Sequence, residues 1–255
     1  MLIYIMIILF ISLSAVLTIF LLKSDKGEKE PVSALWLAVG FGFLGLVAAG
    51  FIEQYLIPLN NISSGSSFSV MIPSFLGVGL IEETLKFLPL AIFIYHKKYF
   101  NEFTDGIIYF ALAGLAFGLP ENILYTLQFG AKAGVSRLLL TPFFHAAITA
   151  MVGFYLIRSK LNKKNPITVL PIFILAVMIH GLYDFGLTIG NNLFIFISIT
   201  VTLALSINFL RLFFKAQDLD EDAGLSAVGH NSYCRSCGFI NQVHHLYCTH
   251  CGKRA

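Results

Sequence analysis

Charge is scarce in this chain. Lys, Arg, Asp and Glu make up 12% of its 255 residues and 57% are hydrophobic; soluble domains carry about twice that charged fraction. With a mean hydropathy of +0.80, an aqueous globular core is excluded before about residue 215. The net charge is only +3, and the basic residues gather at helix ends and in a small tail, so no nucleic-acid partner is expected. Cysteine is absent before Cys234, which rules out a disulfide framework upstream. His-Glu-x-x-His is also missing, which excludes the usual helical zinc-protease arrangement. The 25 Phe residues are packing and lipid-facing material.

What is present is a series of apolar runs. A spanning helix needs roughly 20 apolar residues, and seven runs qualify: 2–22, 32–57, 70–95, 105–128, 138–157, 167–188 and 191–214. The first could be a signal peptide, but it is long and lacks a basic start, and it reads as a retained anchor. Orientation follows from Lys and Arg in short loops. Lys23, Lys26, Lys29, Lys97, Lys98, Arg158, Lys160, Lys163, Lys164, Arg211 and Lys215 follow the odd runs, whereas only Lys132 and Arg137 follow the even ones. That alternation predicts an all-α polytopic bundle of seven transmembrane helices, with an outside N-terminus and a cytosolic C-terminus. No inverted repeat, a frequent mark of transporters, is evident. The predicted organisation is a transmembrane domain over 1–215, an acidic linker over 216–231 and a small cytosolic module over 232–255.

The tail module holds Cys234-Arg-Ser-Cys237-Gly and Cys248-Thr-His-Cys251-Gly. Each Cys-x-x-Cys turn presents two thiolates to one ion, and together they complete a closed tetrahedral site for structural zinc. Two disulfides are disfavoured in a reducing cytosol, and a rubredoxin-like iron site is the other reading of the same ligands. The module resembles a zinc ribbon, too short to fold without its metal.

Ionisable residues inside apolar runs cost a few kcal/mol each to place in a bilayer and mark function by default. Glu82 and Glu83 sit side by side in the third run, about 100° apart around a helix, with Lys86 in reach of either. Glu121 and Asn122 follow Gly114, Gly118 and Pro120 in the fourth run; the two glycines form a small-xxx-small face for close helix approach. His145 begins a helix with Thr149 one turn on. His180 and Asp184 share a helical face at i, i+4, a spacing for a histidine held by a carboxylate or for two ligands to one centre. The alternative at each position is a structural pair that only joins helices. At about 1.5 Å per residue, Glu121, His145, His180 and the glutamate pair come out about 10–20 Å from the outer helix ends, which places all of them at one level in the outer half of the membrane.

Glu82-Glu83-x-x-Lys86, Gly114-x-Ala-Phe-Gly-x-x-Glu121-Asn122, His145 with Thr149 and Gly153, and His180-Gly-x-x-Asp184-Phe occur in that order on successive helices. In this the chain resembles the PrsW-type intramembrane proteases of the wider CAAX-protease/ABI group. The resemblance implies peptide-bond hydrolysis in the bacterial cytoplasmic membrane. The substrate it implies is a membrane protein, and for close relatives a single-pass anti-sigma factor cut on its extracytoplasmic side during envelope stress. Glu82 or Glu83 would be the general base, and His145 and His180 would be ligands to a catalytic divalent metal such as Zn2+ or partners of the water and oxyanion. Glu121 and Asp184 would orient them, and Lys86 and Asn122 would be donors. A metal-free glutamate mechanism fits the same residues. A proton-coupled transporter or channel, a CAAX-type prenyl-protein endopeptidase and a non-catalytic scaffold are the rival expectations. The partner of the zinc ribbon is not indicated.

Overall fold

The computed structural model of the chain describes residues 1–56, 67–141, 143–225, 232–233, 240–241 and 251. The membrane part is entirely helical: α1 (Leu2–Ser24), α2 (Val32–Leu56), α3 (Ser67–Ile72), a π-helical segment (Pro73–Gly79), α4 (Leu80–Phe93), α5 (Phe103–Phe129), α6 (Ala131–Leu140), α7 (Phe144–Leu161), a 3-10 turn (Pro166–Val169), α8 (Leu170–Ile189) and α9 (Asn192–Asp222). Five of these, α1, α2, α5, α8 with its 3-10 turn, and α9, are each long and apolar enough to cross a membrane.

The other two expected spans take a different form. The third is a continuous helical run from α3 through the π segment into α4, widened just before the two glutamates. The fifth was expected to begin at 138. Instead α6 ends at Leu140 and α7 begins at Phe144; Pro142 lies between them in sequence and offers no N–H to a helix through it. α9 also outruns its expected end at 214 and continues through the acidic residues to Asp222. The reason is a contact the sequence does not reveal. Asp220, 1% exposed, accepts hydrogen bonds from the Phe103 and Thr104 amides at 2.6 and 3.0 Å and so caps the N-terminus of α5. Glu102 and Asp105 complete a reciprocal capping box there, satisfying amides that a helix start leaves unpaired.

α5 is the central helix. Its span is 67% buried, against 22% for α1, α2 and α9, whose outer faces carry apolar side chains such as Trp36, Phe51 and Ile207. α5 lies against α7 closely enough that a Cβ on Gly106 would stand 2.4 Å from the Gly153 carbonyl oxygen, and one on Gly114 2.3 Å from that of His145. The expected close approach at Gly114 and Gly118 is therefore to α7, and it fixes His145 against α5.

The four basic-rich connections meet at one end of the bundle. The Glu28 amide bonds Glu102 at 3.1 Å, Gln217 reaches the Ser24 carbonyl, and Lys160 donates to the Tyr95, Lys97 and Phe100 carbonyls at 2.6–3.1 Å. In the tail, Ser232–Tyr233 pairs antiparallel with Ile240–Asn241. Cys234, Cys237 and Cys248 lie outside the described residues, and Cys251 is exposed.

Candidate active site

The sequence candidates come together from four helical segments. α4 starts directly after the π segment and places Glu82, Glu83 and Lys86 in its first two turns, all three buried. The Lys86 ammonium sits 2.7 Å from Glu83 Oε1 and 3.4 Å from Glu82 Oε2, so its nearer partner is Glu83. It also lies 3.1 Å from His145 Nδ1 and 4.4 Å above the Phe117 ring. An ammonium has only protons to offer, so His145 Nδ1 accepts. The ring proton is then on Nε2, which is 2.8 Å from Glu121 Oε2.

His180 bridges the two glutamates. Its Nδ1 is 2.7 Å from Glu83 Oε1, and its Nε2 is 3.6 Å from Glu82 Oε2 and 3.3 Å from Asp184 Oδ2. The two imidazole rings are 5.3 Å apart, centre to centre. The two carboxylates project in different directions around α4, yet both reach this ring because each of its nitrogens meets one of them.

The glutamates differ in access. Glu82, Glu121 and Asp184 line a cavity of about 370 Å³ between α2, the π segment, α5 and α8, and Glu83 does not. Glu83 is enclosed behind Glu82, holding Lys86 and His180. Counted at about 1.5 Å per residue from the basic end, Glu82 and His180 are about 15 Å in and Glu121 and His145 about 25 Å. The cluster thus occupies the middle of the bundle and the half away from that end, spread over about the same 10 Å as the sequence count gives.

Three participants are not apparent in the sequence. Arg137 of α6, counted there as a loop charge, is 9% exposed. It donates to Glu121 Oε1 at 3.1–3.2 Å and to Asn122 Oδ1 at 2.9 Å, and its guanidinium lies 3.6 Å above Tyr125. Asn122, expected as a donor to the chemistry, accepts from Arg137 and Thr141 through its carbonyl oxygen, and its Nδ2 is buried without a partner among the described residues. Phe144 stacks on Tyr183 at 4.4 Å and meets His180 edge-on, which fixes that ring. Glu53, in the last turns of α2, lines the same cavity. The available signal for Arg137 and Glu53 was an isolated charge in an apolar stretch.

A profile of the PrsW family intramembrane metalloproteases matches residues 30–210. The chain belongs to the PrsW family. Proteins named Protease PrsW are similar to it over most of their length. The one from Bacillus subtilis (strain 168) is 36% identical over 180 residues, 70% of this chain and 80% of the relative. That from Geobacillus kaustophilus is 35% identical over 171 residues, 67% and 73%. That from Clostridioides difficile is 28% identical over 177 residues, 66% and 72%. No solved structure gives a significant match. The PrsW match contains all four segments that build the buried cluster.

The family is one of metalloproteases, and the donors suit a metal. Ligand atoms of Glu82, His145 and His180 lie within 4.8 Å of one another, all buried, and two imidazoles with one carboxylate are a known catalytic zinc set. His180 already has the supporting arrangement, one nitrogen on a carboxylate and the other facing the centre. His145 has both nitrogens engaged, by Lys86 and Glu121, and would release one partner to bind an ion.

Proposed function

We propose that this PrsW-family protein is an intramembrane endopeptidase whose water is held and deprotonated by Glu82. The observation that carries this is the difference in access: Glu82 faces the cavity with His145 and His180 beside it, while Glu83 is sealed behind it. The family match favours hydrolysis over proton-coupled transport, to which buried Glu and His residues are equally suited.

Glu82 accepts the proton of the attacking water as general base. Glu83 holds Lys86 and His180 in place. Lys86 and the His145 Nε2–H, engaged by glutamates and set behind the cavity lining, would serve the developing oxyanion by turning toward it; such donors are worth several kcal/mol in a water-poor site. Glu121, held by Arg137, fixes the His145 ring, and Asp184 shares the open edge of His180. A divalent cation held instead by Glu82, His145 and His180 would take over these roles, acidifying the water and polarising the carbonyl.

The topology that accompanies this reading has seven spans, an outside N-terminus and a cytosolic C-terminus. Its support is the gathering of all four basic-rich connections at one end. The cluster then lies from mid-membrane outward, where a cut in a single-pass anti-sigma factor during envelope stress would be made. The tail is read as a cytosolic zinc ribbon with no part in the chemistry. Co-expression with single-pass membrane proteins tests the activity. A specific fragment should appear with the wild type and vanish with Glu82→Gln, with unchanged membrane accumulation. A Glu82→Gln protein that still releases the fragment would refute the role.

A further inference from the structure

Glu53 is the sole Asp, Glu, Lys or Arg in α2, a helix of 25 residues. Such a residue in an apolar span calls for a function, and the hydrolytic machinery already described does not use it. Its side chain lines the catalytic cavity together with Glu82, Glu121 and Asp184, and among the described residues that lining contains no Lys, Arg or His. Its Oε1 is shielded from solvent and has no hydrogen-bond partner among the described residues.

The charges around the cavity do not balance. Glu53, Glu82, Glu83, Glu121 and Asp184 face two permanent cations, Lys86 and Arg137. Both cations are committed, Lys86 to Glu82 and Glu83, and Arg137 to Glu121. Even a divalent ion on Glu82, His145 and His180 would leave one carboxylate over. Glu53 and Asp184 are the two with no Lys or Arg against them among the described residues, and of these only Asp184 has a histidine beside it, His180 at 3.3 Å; the half-buried Glu53 carboxyl is completed by a cationic, hydrogen-bonding group.

On the basis of the protease reading above, we propose that Glu53 is a specificity-determining residue that receives a Lys or Arg side chain of the substrate. A cavity of about 370 Å³ is about 9 Å across, and an extended chain advances about 3.3 Å per residue. The cationic residue therefore falls within about three residues of the scissile bond. A neutral substrate group would leave the carboxylate's charge uncompensated, whereas an ammonium or guanidinium supplies both the charge and the donors.

The test uses the full-length enzyme reconstituted with a single-pass substrate whose cut site is mapped by mass spectrometry. Lys, Gln or Glu is placed in turn at the three positions on each side of the bond. One position should show a Lys-over-Gln rate ratio of tenfold or more. Glu53→Gln should reduce that ratio at least tenfold, and Glu53→Lys should move the preference to the Glu-bearing substrate. An unchanged ratio in Glu53→Gln overturns the proposal, whether total activity holds or falls evenly. Should Glu53→Gln not accumulate, Glu53→Asp keeps the charge and must keep the Lys preference; loss of that preference also overturns the proposal. Wild-type protein that cuts no substrate, or Glu82→Gln that cuts like wild type, refutes the protease reading itself, a distinct outcome.

Discussion

Gly118→Ala adds one methyl group at the point where α5 supports the site. The new Cβ would stand 2.5 Å from His145 Cδ2, and ordinary contact needs 3.4–4 Å. The ring or its helix must therefore shift by about 1 Å, and the helix cannot easily follow because Gly114 holds the His145 backbone against α5. The 2.8 Å contact between His145 and Glu121 would lengthen past hydrogen-bonding range, which ends near 3.2 Å. A misplacement of about 1 Å in a catalytic constellation costs about 10²-fold in rate, or about 2.7 kcal/mol in the barrier. Fragment release by reconstituted protein, normalised to the amount folded, should fall by about that factor in Gly118→Ala. In the control, Gly40→Ala, the added Cβ meets nothing within 4 Å, and release should stay near wild type. Wild-type cleavage by Gly118→Ala would show that the position of His145 is not what the site depends on. Equal losses in both variants would remove the steric argument.

Three further outcomes are expected. Burial raises the Glu102 carboxyl to about 8, and Asp105, Asp220 and Asp25 nearby add to the shift against the pull of the Glu28 amide. The native state thus keeps a proton that the unfolded chain has lost, and stability should fall as pH rises from about 4.5 to about 8; thermal unfolding in detergent should show this slope, reduced in Glu102→Gln. Reporter fusions at residues 98 and 162 should give cytosolic signals and those at 60 and 132 external ones, and a cytosolic signal at 60 or 132 would reverse the proposed orientation. Cys→Ser changes at Cys234, Cys237, Cys248 or Cys251 should abolish binding of one zinc per chain, read by metal analysis, while substrate cleavage persists.

The sequence reveals the site more clearly than the fold around it. Glu82, Glu83, Glu121, His145, His180 and Asp184 are visible because an ionisable group in an apolar run stands out without any knowledge of neighbours. Arg137 was obscured for the same reason: near a helix end it looks like a loop charge, and only the packing of α6 under α5 shows that it serves Glu121. The helix break between Leu140 and Phe144 was signalled by Thr141-Pro142, but a hydropathy window passes over one proline because it registers burial rather than backbone geometry. The continuation of α9 through acidic residues was equally hidden, since it depends on Asp220 meeting the start of a helix 117 residues away. The difference in access between Glu82 and Glu83 could not be read from adjacent identical residues, because it depends on which direction around α4 faces α2.

The order in which these charges occur along the chain has a consequence for biogenesis. Each Lys, Arg or Asp entering a bilayer alone costs about 2.5–3.5 kcal/mol. Glu82 and Glu83 share a helix with Lys86 at i, i+4 and i, i+3, and His180 meets Asp184 at i, i+4. Each helix therefore leaves the translocation channel already carrying part of its own compensation. Glu121 finds Arg137 sixteen residues later, across a turn at Gly130, whose φ of +82° suits glycine. α5 and α6 can thus enter as a neutral hairpin before any other helix has docked. The lipid phase is never asked to hold these charges singly while the bundle assembles. Glu53 enters with no opposite charge on its own helix, and with Glu82 and Glu83 sharing a single Lys86 the nascent chain still carries unmatched carboxylates into the membrane.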